Sequence, residues 1–500
     1  MIELEKLLQL TAVLLAYGLL CWVCLHRHRP HVLVTDSAAH DSSNLLIAYA
    51  SQSGTAVDIA RQLAASTAEP VTLLPLNSVD AEVLAASSTV LFIVSTYGEG
   101  EPPDNGARFA RRFLTGPQQD FSHIDFAVLA LGDRGYHYFC GFGHALFRGL
   151  SQRGAVSLFP VVEHEPGDVE ALKRWETQLH RAGIAIDSGR LAAGVHDVAV
   201  FKPWRLHARH QLNVGSPGGA LMHLQLAPMA ENSMPIWQAG DIVEFMPVYA
   251  PELYAVLARH WQLAAAVPID QLASRQIPLD PAAWPEPTTM TFESWLATLP
   301  PLVAREYSIA SLPGDGYLDL LVRQQCSDGG EFGLASGWLT AGAELGATIQ
   351  LRFHPNSLFH APMEDTPLIL IGNGSGYAGL RAILRARQQA GLHKNALFFG
   401  ERCPRADRIF DDEIRQWQES GHLQQLHRTF SRCPLNPAYV QDALRASESL
   451  QSWVDQGAVI MVCGSRHGMA EGVDVVLRQV LGDEQLNQLQ AEERYRRDVY

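Results

Sequence analysis

The sequence predicts a multidomain α/β protein: an N-terminal transmembrane helix, a doubly wound parallel-sheet unit, an antiparallel β-barrel and a second doubly wound unit. Three observations carry this. A run without a single charge spans Leu7 to Leu25. Apolar strand-like runs alternate with helix-like stretches from Asn44 to about Ile184 and again from about Met363 to the end, the pattern of a parallel sheet covered on both faces. Between them, from about Ala199, the runs turn β-rich and are broken by Gly, Pro and Asn, as in an antiparallel barrel.

Five hundred residues exceed what one core usually covers, so two to four domains are expected. The chain is 47% hydrophobic and 18% charged, an ordinary globular composition. Its formal net charge of −15 argues against nucleic-acid binding and suits a negatively charged docking face for a basic partner. Seven cysteines scattered over this length are not a disulfide framework. Cys140, Cys326, Cys403, Cys433 and Cys463 read as reduced thiols of a cytosolic compartment.

Residues 1–26 contain the run LLQLTAVLLAYGLLCWVCL, long enough to cross a bilayer. A cleaved signal peptide is the competing reading, but Glu3 and Glu5 replace the expected basic start. Arg27 and Arg29 follow the run, and positive charge on that side places the remainder in the cytoplasm. The expectation is a single-pass anchor in the cytoplasmic (inner) membrane, with residues 27–43 as a juxtamembrane linker. Cys21 and Cys24 are read as apolar filling of that helix.

The first doubly wound unit covers 44–184, with NLLIAYA, VTLLPL, TVLFIVS and FAVLAL as its strands. A hinge is expected over 185–198. The barrel covers 199–362 and carries a short helical insertion over about 251–300. The last unit covers 363–500, with PLILIG, ALFFG and VIMVCG as strands. No repeat and no metal-ligand cluster is expected.

Chemistry begins with SQSGTA (Ser51, Gln52, Ser53, Gly54, Thr55, Ala56), between a strand end and a helix start. Small hydroxylated residues let backbone N–H groups turn toward an anion at the helix N-terminus. Without Gly-Lys-Ser/Thr, the loop suits a terminal phosphate held without metal; a merely structural Ser/Gly turn is the alternative. Two further strand-end loops follow, STYGEGEPPDNG (Ser95 to Gly106) and LGDRGYHYF (Leu131 to Phe139). In a doubly wound sheet ligands sit outside the carboxyl ends of strands, and the flat faces of Tyr97 and Tyr136 suit a sandwiched ring. Glu99, Glu101 and Asp104 disfavour further negative charge there. A solvated acidic loop with surface tyrosines is the competing reading.

These three loops resemble the flavodoxin-like FMN module of the NADPH-dependent diflavin reductases, which include the sulfite reductase flavoprotein and the cytochrome reductases. The resemblance implies FMN contacts from the SQSGTA loop, from Thr96, Tyr97, Gly98 and Gly100, and from Leu131, Gly132, Asp133, Tyr136 and Phe139. Asp133 stands where the family often has Asn. The resemblance covers nearly everything from Asn44 to Tyr500, and the third unit is then a Rossmann-like NADP-binding domain.

In the barrel, REYS supplies an Arg that can pair with a pyrophosphate, a Tyr that can lie on a ring and a Ser that can bond a ring nitrogen. It is similar to the family's R-x-Y-S motif, which assigns Arg305, Tyr307 and Ser308 to FAD; Gly333, Leu334, Ala335 and Ser336 match the loop that wraps the FAD pyrophosphate. IGNGSGYAGL is a glycine-rich strand-to-helix turn that admits a dinucleotide's pyrophosphate at Gly374, Ser375 and Gly376, or else only a structural turn. It departs from the family's G-P-G-T-G-x-A-P at Asn373, Ser375 and Gly379. Ser431, Arg432, Tyr439 and Gln441 match the family's residues for the adenosine 2′-phosphate, with Pro437 in place of its lysine and Arg402 as a further candidate. Cys463, Ser308 and Asp498 match the residues around the nicotinamide and flavin, and Tyr500 the aromatic that stacks on FAD and moves aside for nicotinamide.

The resemblance thus implies an NADPH-dependent flavoprotein reductase with electrons running from NADPH to FAD to FMN to an acceptor. Three readings of the acceptor stay open: a haem or sirohaem protein, as for sulfite reductase; a ferric siderophore or other iron complex at the membrane surface; or none, the chain being a non-catalytic docking subunit.

Overall fold

The computed structural model describes residues 45–500 apart from 52–53, 68–69, 98–99, 118, 133, 135–137, 166–167, 188, 190, 192–200, 230–233, 250, 264–271, 273–274, 301, 303, 327–329 and 331. The described strands fall into three sheets. The first contains β1 (Leu45–Ala50), β2 (Thr72–Pro75), β3 (Thr89–Ser95), β4 (Asp125–Leu131), β5 (Val156–Ser157) and β6 (Val162–His164). Its order is β2-β1-β3-β4-β5, with β6 also on β4, and every pairing is parallel. Strand residues alternate between faces, and both faces are buried. Leu46, Ala48 and Phe92 enter one core cluster, Ile47, Tyr49 and Leu91 the other. That is why these strands read as continuous apolar runs.

The second sheet is antiparallel: β7 (Lys202–Gln211), β8 (Leu221–Pro228), β9 (Ile242–Phe245), β10 (Arg305–Ser308), β11 (Leu318–Arg323) and β12 (Thr348–His354), in the order β10-β9-β12-β7-β8-β11. A bridge between Ile309 and Leu320 links the two edge strands and closes the sheet into a barrel. Between β9 and β10 the helices Pro251–His260 and Phe292–Thr298 form around their own aromatic core, in which Trp261 and Trp295 stack at 5.2 Å.

The third sheet is again parallel: β13 (Leu368–Asn373), β14 (Asn395–Glu401), β15 (Gln425–Phe430), β16 (Val459–Gly464) and β17 (Tyr495–Val499), ordered β15-β14-β13-β16-β17. A buried charge network ties it to the barrel. Arg381, on the helix Tyr377–Gln389, reaches Asp319 of β11 at 3.1 Å and Glu413 at 2.7 Å. Breaking one partner of such a network strands a buried charge, at a cost of about 3–5 kcal/mol.

One expectation is corrected. No helix among the described residues is long and apolar enough to cross a membrane. The longest, Val169–Arg181 and Tyr377–Gln389, have 13 residues each, about 20 Å at the α-helical rise against a hydrocarbon core of about 30 Å. The transmembrane helix, the membrane as a partner and the single-pass placement in the cytoplasmic membrane are therefore withdrawn. The run Leu7–Leu25 and the linker 27–43 lie outside the described residues.

Candidate active site

The register of β17 on β16 sets the centre of the site. Cys463 pairs with Asp498, and β10 brings Ser308 to the same point from the barrel. The Ser308 hydroxyl donates to Asp498 Oδ2 at 2.8 Å, the Cys463 thiol approaches the same oxygen at 3.5 Å, and the two hydroxyl and thiol heavy atoms are 4.0 Å apart. Burial pushes the Asp498 carboxyl above the usual carboxylate range, against the opposing hydrogen bonds from Ser308 and Cys463. Burial first, and then the charge of Asp498, push the Cys463 thiol well above its ordinary value. It is a neutral thiol rather than a nucleophile.

Gly379 lies over this cluster. A Cβ there would sit 3.5 Å from Cys463 Sγ and 3.7 Å from Ser308 Cβ. The turn Gly374–Gly376 is tighter still: a Cβ on Gly376 would lie 2.2 Å from the Cys463 carbonyl oxygen. Only glycine lets the turn and β16 approach so closely. The terminal Tyr500 is fixed on both sides of its peptide, its N–H donating to Gly464 O at 3.1 Å and its carbonyl accepting from Arg466 N at 2.9 Å. Its hydroxyl donates to Ser375 at 3.0 Å while the ring stays exposed.

On the barrel, Arg305 is exposed and Tyr307 half-buried; burial pushes the Tyr307 phenol up to about 12. Gly333 leads into the helix Leu334–Gly337, where Ser336 Oγ accepts from Gln325 N at 3.1 Å. The β15 end and the next helix start carry Ser431, Arg432, Tyr439 and Gln441, with Arg432 and Tyr439 exposed. Arg432 N donates to Arg402 O at 2.8 Å, so the two cations sit on neighbouring strand ends.

The first sheet presents its loops at its carboxyl end. Ser51 is buried, and its Oγ accepts from Gly54 N at 3.0 Å and Ala56 N at 3.2 Å. Gly54 adopts φ +108°, and Thr55 opens the helix Thr55–Ser66. Thr96 Oγ1 accepts from Phe142 N at 3.2 Å, and Tyr97 and Glu101 exchange backbone bonds of 2.9 Å around Gly100. Leu131 ends β4; Gly132 N donates to His164 O at 3.0 Å, and Phe139 lies under the Arg134 guanidinium at 4.2 Å. Gln52, Ser53, Gly98, Asp133 and Tyr136 lie outside the described residues.

Residues 47–177 match the family model for flavodoxin, and residues 370–474 that for the oxidoreductase NAD-binding domain. The sulfite reductase (NADPH) flavoprotein alpha-component of Vibrio cholerae is 27% identical over 94% of this chain and 90% of its own length. Its Bacillus subtilis counterpart is 26% identical over 92% and 89%. A Shewanella counterpart is 25% identical over 100% and 97%. The chain belongs to the NADPH-dependent diflavin reductases. Like them it is an oxidoreductase whose cofactors are FMN, FAD and NADPH.

Several residues of this diflavin reductase escape sequence reasoning. Asn105 Oδ1 accepts from Ser51 N at 2.9 Å, while its buried Nδ2 has no partner among the described residues; an orphaned donor beside the SQSGTA loop fits a bound anion. His354, on β12, meets Thr55 Oγ1 at 3.2 Å. Tyr138 lies exposed beside Gly100, an aromatic in reach of the same strand ends. The Tyr97 hydroxyl donates to Val499 O at 2.7 Å, and Arg466 covers the Tyr97 ring at 4.7 Å while pairing with Glu101. Asn105, Tyr138, Tyr97 and Glu101 lie in the two strand-end loops that the sequence marks, but their partners are far away in sequence, and His354 and Arg466 carry no local signal.

Proposed function

We propose that this reductase delivers its electrons to a haem- or sirohaem-bearing partner of the sulfite reductase type. Residues 44–184 serve as the FMN module, 185–198 as the hinge, 199–362 as the FAD barrel and 363–500 as the NADP module. The observation that carries the reading is the Ser308–Asp498–Cys463 cluster lying under the glycine turn and beside Tyr500.

The residues fit the groups they are assigned. Ser51, Gly54, Thr55 and Ala56 hold the FMN phosphate at a helix start, with Asn105 Nδ2 as a waiting donor. Arg305 and Tyr307 on β10 and the start of the helix Leu334–Gly337 hold FAD. The turn Gly374–Gly376 takes the NADPH pyrophosphate, and Arg432 with Arg402 takes its 2′-phosphate. When bound, these groups supply hydride donation at the nicotinamide and stepwise electron release through two flavins.

The protein's own work is positional. Ser308 and Cys463 orient the Asp498 carboxylate, whose ionised form favours the positive charge left behind by hydride departure. Tyr500 would lie over a bound flavin ring and would have to move aside for nicotinamide; its side chain hydrogen-bonds Ser375 at an exposed position. The intact cluster disfavours a decayed docking subunit, and the iron-complex reading loses the anchor on which it leaned. Two assays test the proposal. Steady-state reduction of ferricyanide and cytochrome c with NADPH is expected, and its absence in protein that holds both flavins would sink the enzyme reading. Sulfite-dependent NADPH oxidation on adding a sirohaem subunit tests the acceptor; failure there with active dye reduction rejects the acceptor alone.

A further inference from the structure

Arg323 ends β11 of the barrel, yet its guanidinium reaches the glycine turn of the third sheet. A Cβ built on Gly374 would lie 3.3 Å from one terminal nitrogen of Arg323 and 3.7 Å from its Nε. The Arg323 side chain is 14% exposed. One terminal nitrogen donates to Gly219 O at 3.0 Å. The nitrogen nearest Gly374 has as its carboxylate partner Glu401 Oε1, at 3.4 Å, long for a charge-assisted bond. Glu401 is itself buried, and burial pushes its carboxyl up to about 7 despite Arg323. A raised carboxyl of this kind is a weak countercharge for Arg323.

More positive charge converges on the same place. The turn opens the helix Tyr377–Gln389, whose free N–H groups add partial positive charge. Arg402 lies against the bare backbone of Gly218, where a side chain would collide with its guanidinium. Burial first, and then the charge of Arg323, hold Arg402 below its ordinary value. Guanidinium groups crowded over a helix start in a shielded place repel one another unless an anion joins them.

We propose that Arg323 is a nucleotide-binding residue supplied by the barrel, pairing with the dinucleotide pyrophosphate at the Gly374–Gly376 turn. The 2′-phosphate falls to Arg432 with Arg402, which feels the charge of both Arg323 and Arg432. The assignment rests on the reading of 363–500 as the NADP module. It follows from position: Arg323 stands over Gly374, where a pyrophosphate approaches a strand-to-helix turn, and its forked donors match that group. The nucleotide site then spans two modules, and bound nucleotide draws the barrel and the third sheet together.

The test is calorimetric titration of the flavin-loaded full chain with NADP+ and with 2′-AMP, which carries the 2′-phosphate but no pyrophosphate. Arg323→Gln is expected to weaken NADP+ about ten-fold and leave 2′-AMP unchanged; Arg432→Gln weakens both. Unchanged NADP+ affinity in R323Q, or an equal loss for 2′-AMP, overturns the proposal. If R323Q loses its flavins, Arg323→Lys decides: it keeps the charge without the fork, and a several-fold loss confined to NADP+ supports the pairing, whereas wild-type affinity rejects it. Wild-type protein that binds neither ligand rejects the NADP-module reading instead.

Discussion

The Tyr97 hydroxyl donates a 2.7 Å hydrogen bond to the backbone carbonyl of Val499, 402 residues further along the chain. A loop of the first sheet is thereby fastened to the last strand of the third, one residue from Asp498. Arg466 strengthens the join by covering the Tyr97 ring and pairing with Glu101, and Tyr49 adds a 3.0 Å bond to Glu493. In this arrangement the end of the first sheet is held against the end of the third, beside the Ser308–Asp498–Cys463 cluster.

Loosening the join should therefore favour the acceptor. Tyr97→Phe keeps the ring and removes one hydrogen bond worth about 1 kcal/mol, a shift of about five-fold in the docking equilibrium. Arg466→Gln removes a half-exposed ion pair worth about 0.5 kcal/mol, about two-fold. Stopped-flow reduction of cytochrome c from pre-reduced enzyme should rise in that order, and added salt should raise the wild-type rate and leave R466Q less affected. Rates that fall in both variants would show that the join assists delivery.

In the Ser308–Asp498–Cys463 cluster, Ser308→Ala removes a hydrogen bond that holds the Asp498 carboxyl down. The carboxyl should then ionise at still higher pH. The pH at which NADPH reduction of FAD switches on moves upward, and the rate at neutral pH falls by about ten-fold or more. The stability sign runs the same way. A carboxyl raised above its ordinary value of 3.8 by burial stabilises the fold fully below that value, and the contribution is lost as pH rises through the folded value. Asp498→Asn should flatten this slope in a thermal-melt series from acid to neutral pH while hydride transfer slows.

The central strands of the two parallel sheets were legible because they are buried on both faces, so LLIAYA, TVLFIVS and VIMVCG stand out as unbroken apolar runs. Ser308, Cys463 and Asp498 were legible only through motif resemblance; their meeting depends on the Cys463–Asp498 register and on a barrel strand 155 residues upstream. Arg323 and His354 were not legible. Each ends an ordinary barrel strand, and only the closure of the barrel against its neighbours carries Arg323 to Gly374 and His354 to Thr55. The membrane reading of the charge-free run near the N-terminus finds no support, since no helix among the described residues is long and apolar enough to cross a membrane.

Gly376→Ala tests the closeness of turn and strand. The added methyl would lie 2.2 Å from the Cys463 carbonyl oxygen and 2.5 Å from its carbon, both backbone atoms that cannot rotate away. Overpacking of this kind costs about 1–3 kcal/mol. The expected outcome is a lower melting temperature with both flavins retained, and NADP+ affinity reduced more than ten-fold because the turn must shift. Normal NADP+ binding in this variant would place the nucleotide elsewhere.

Glu401 gives the site a pH dependence near neutrality. Burial raises its carboxyl to about 7 from an ordinary 4.5, with Arg323 and Arg402 pulling it down and Asp407 pushing it up. Below that pH Glu401 is neutral and leaves Arg323 to the nucleotide; above it, a buried carboxylate engages Arg323 and repels the phosphates. NADP+ should thus bind several-fold more weakly at pH 8 than at pH 6, and Glu401→Gln should bind tightly and equally at both. Because the folded value is raised, the stability due to the neutral carboxyl is complete below 4.5 and is lost as pH rises through about 7, about 3 kcal/mol across that window. Melting curves of E401Q should accordingly fall less between pH 5 and 8 than those of the wild type. A wild-type NADP+ affinity that is flat over this range, or a slope that survives in E401Q, would assign the titration to another group.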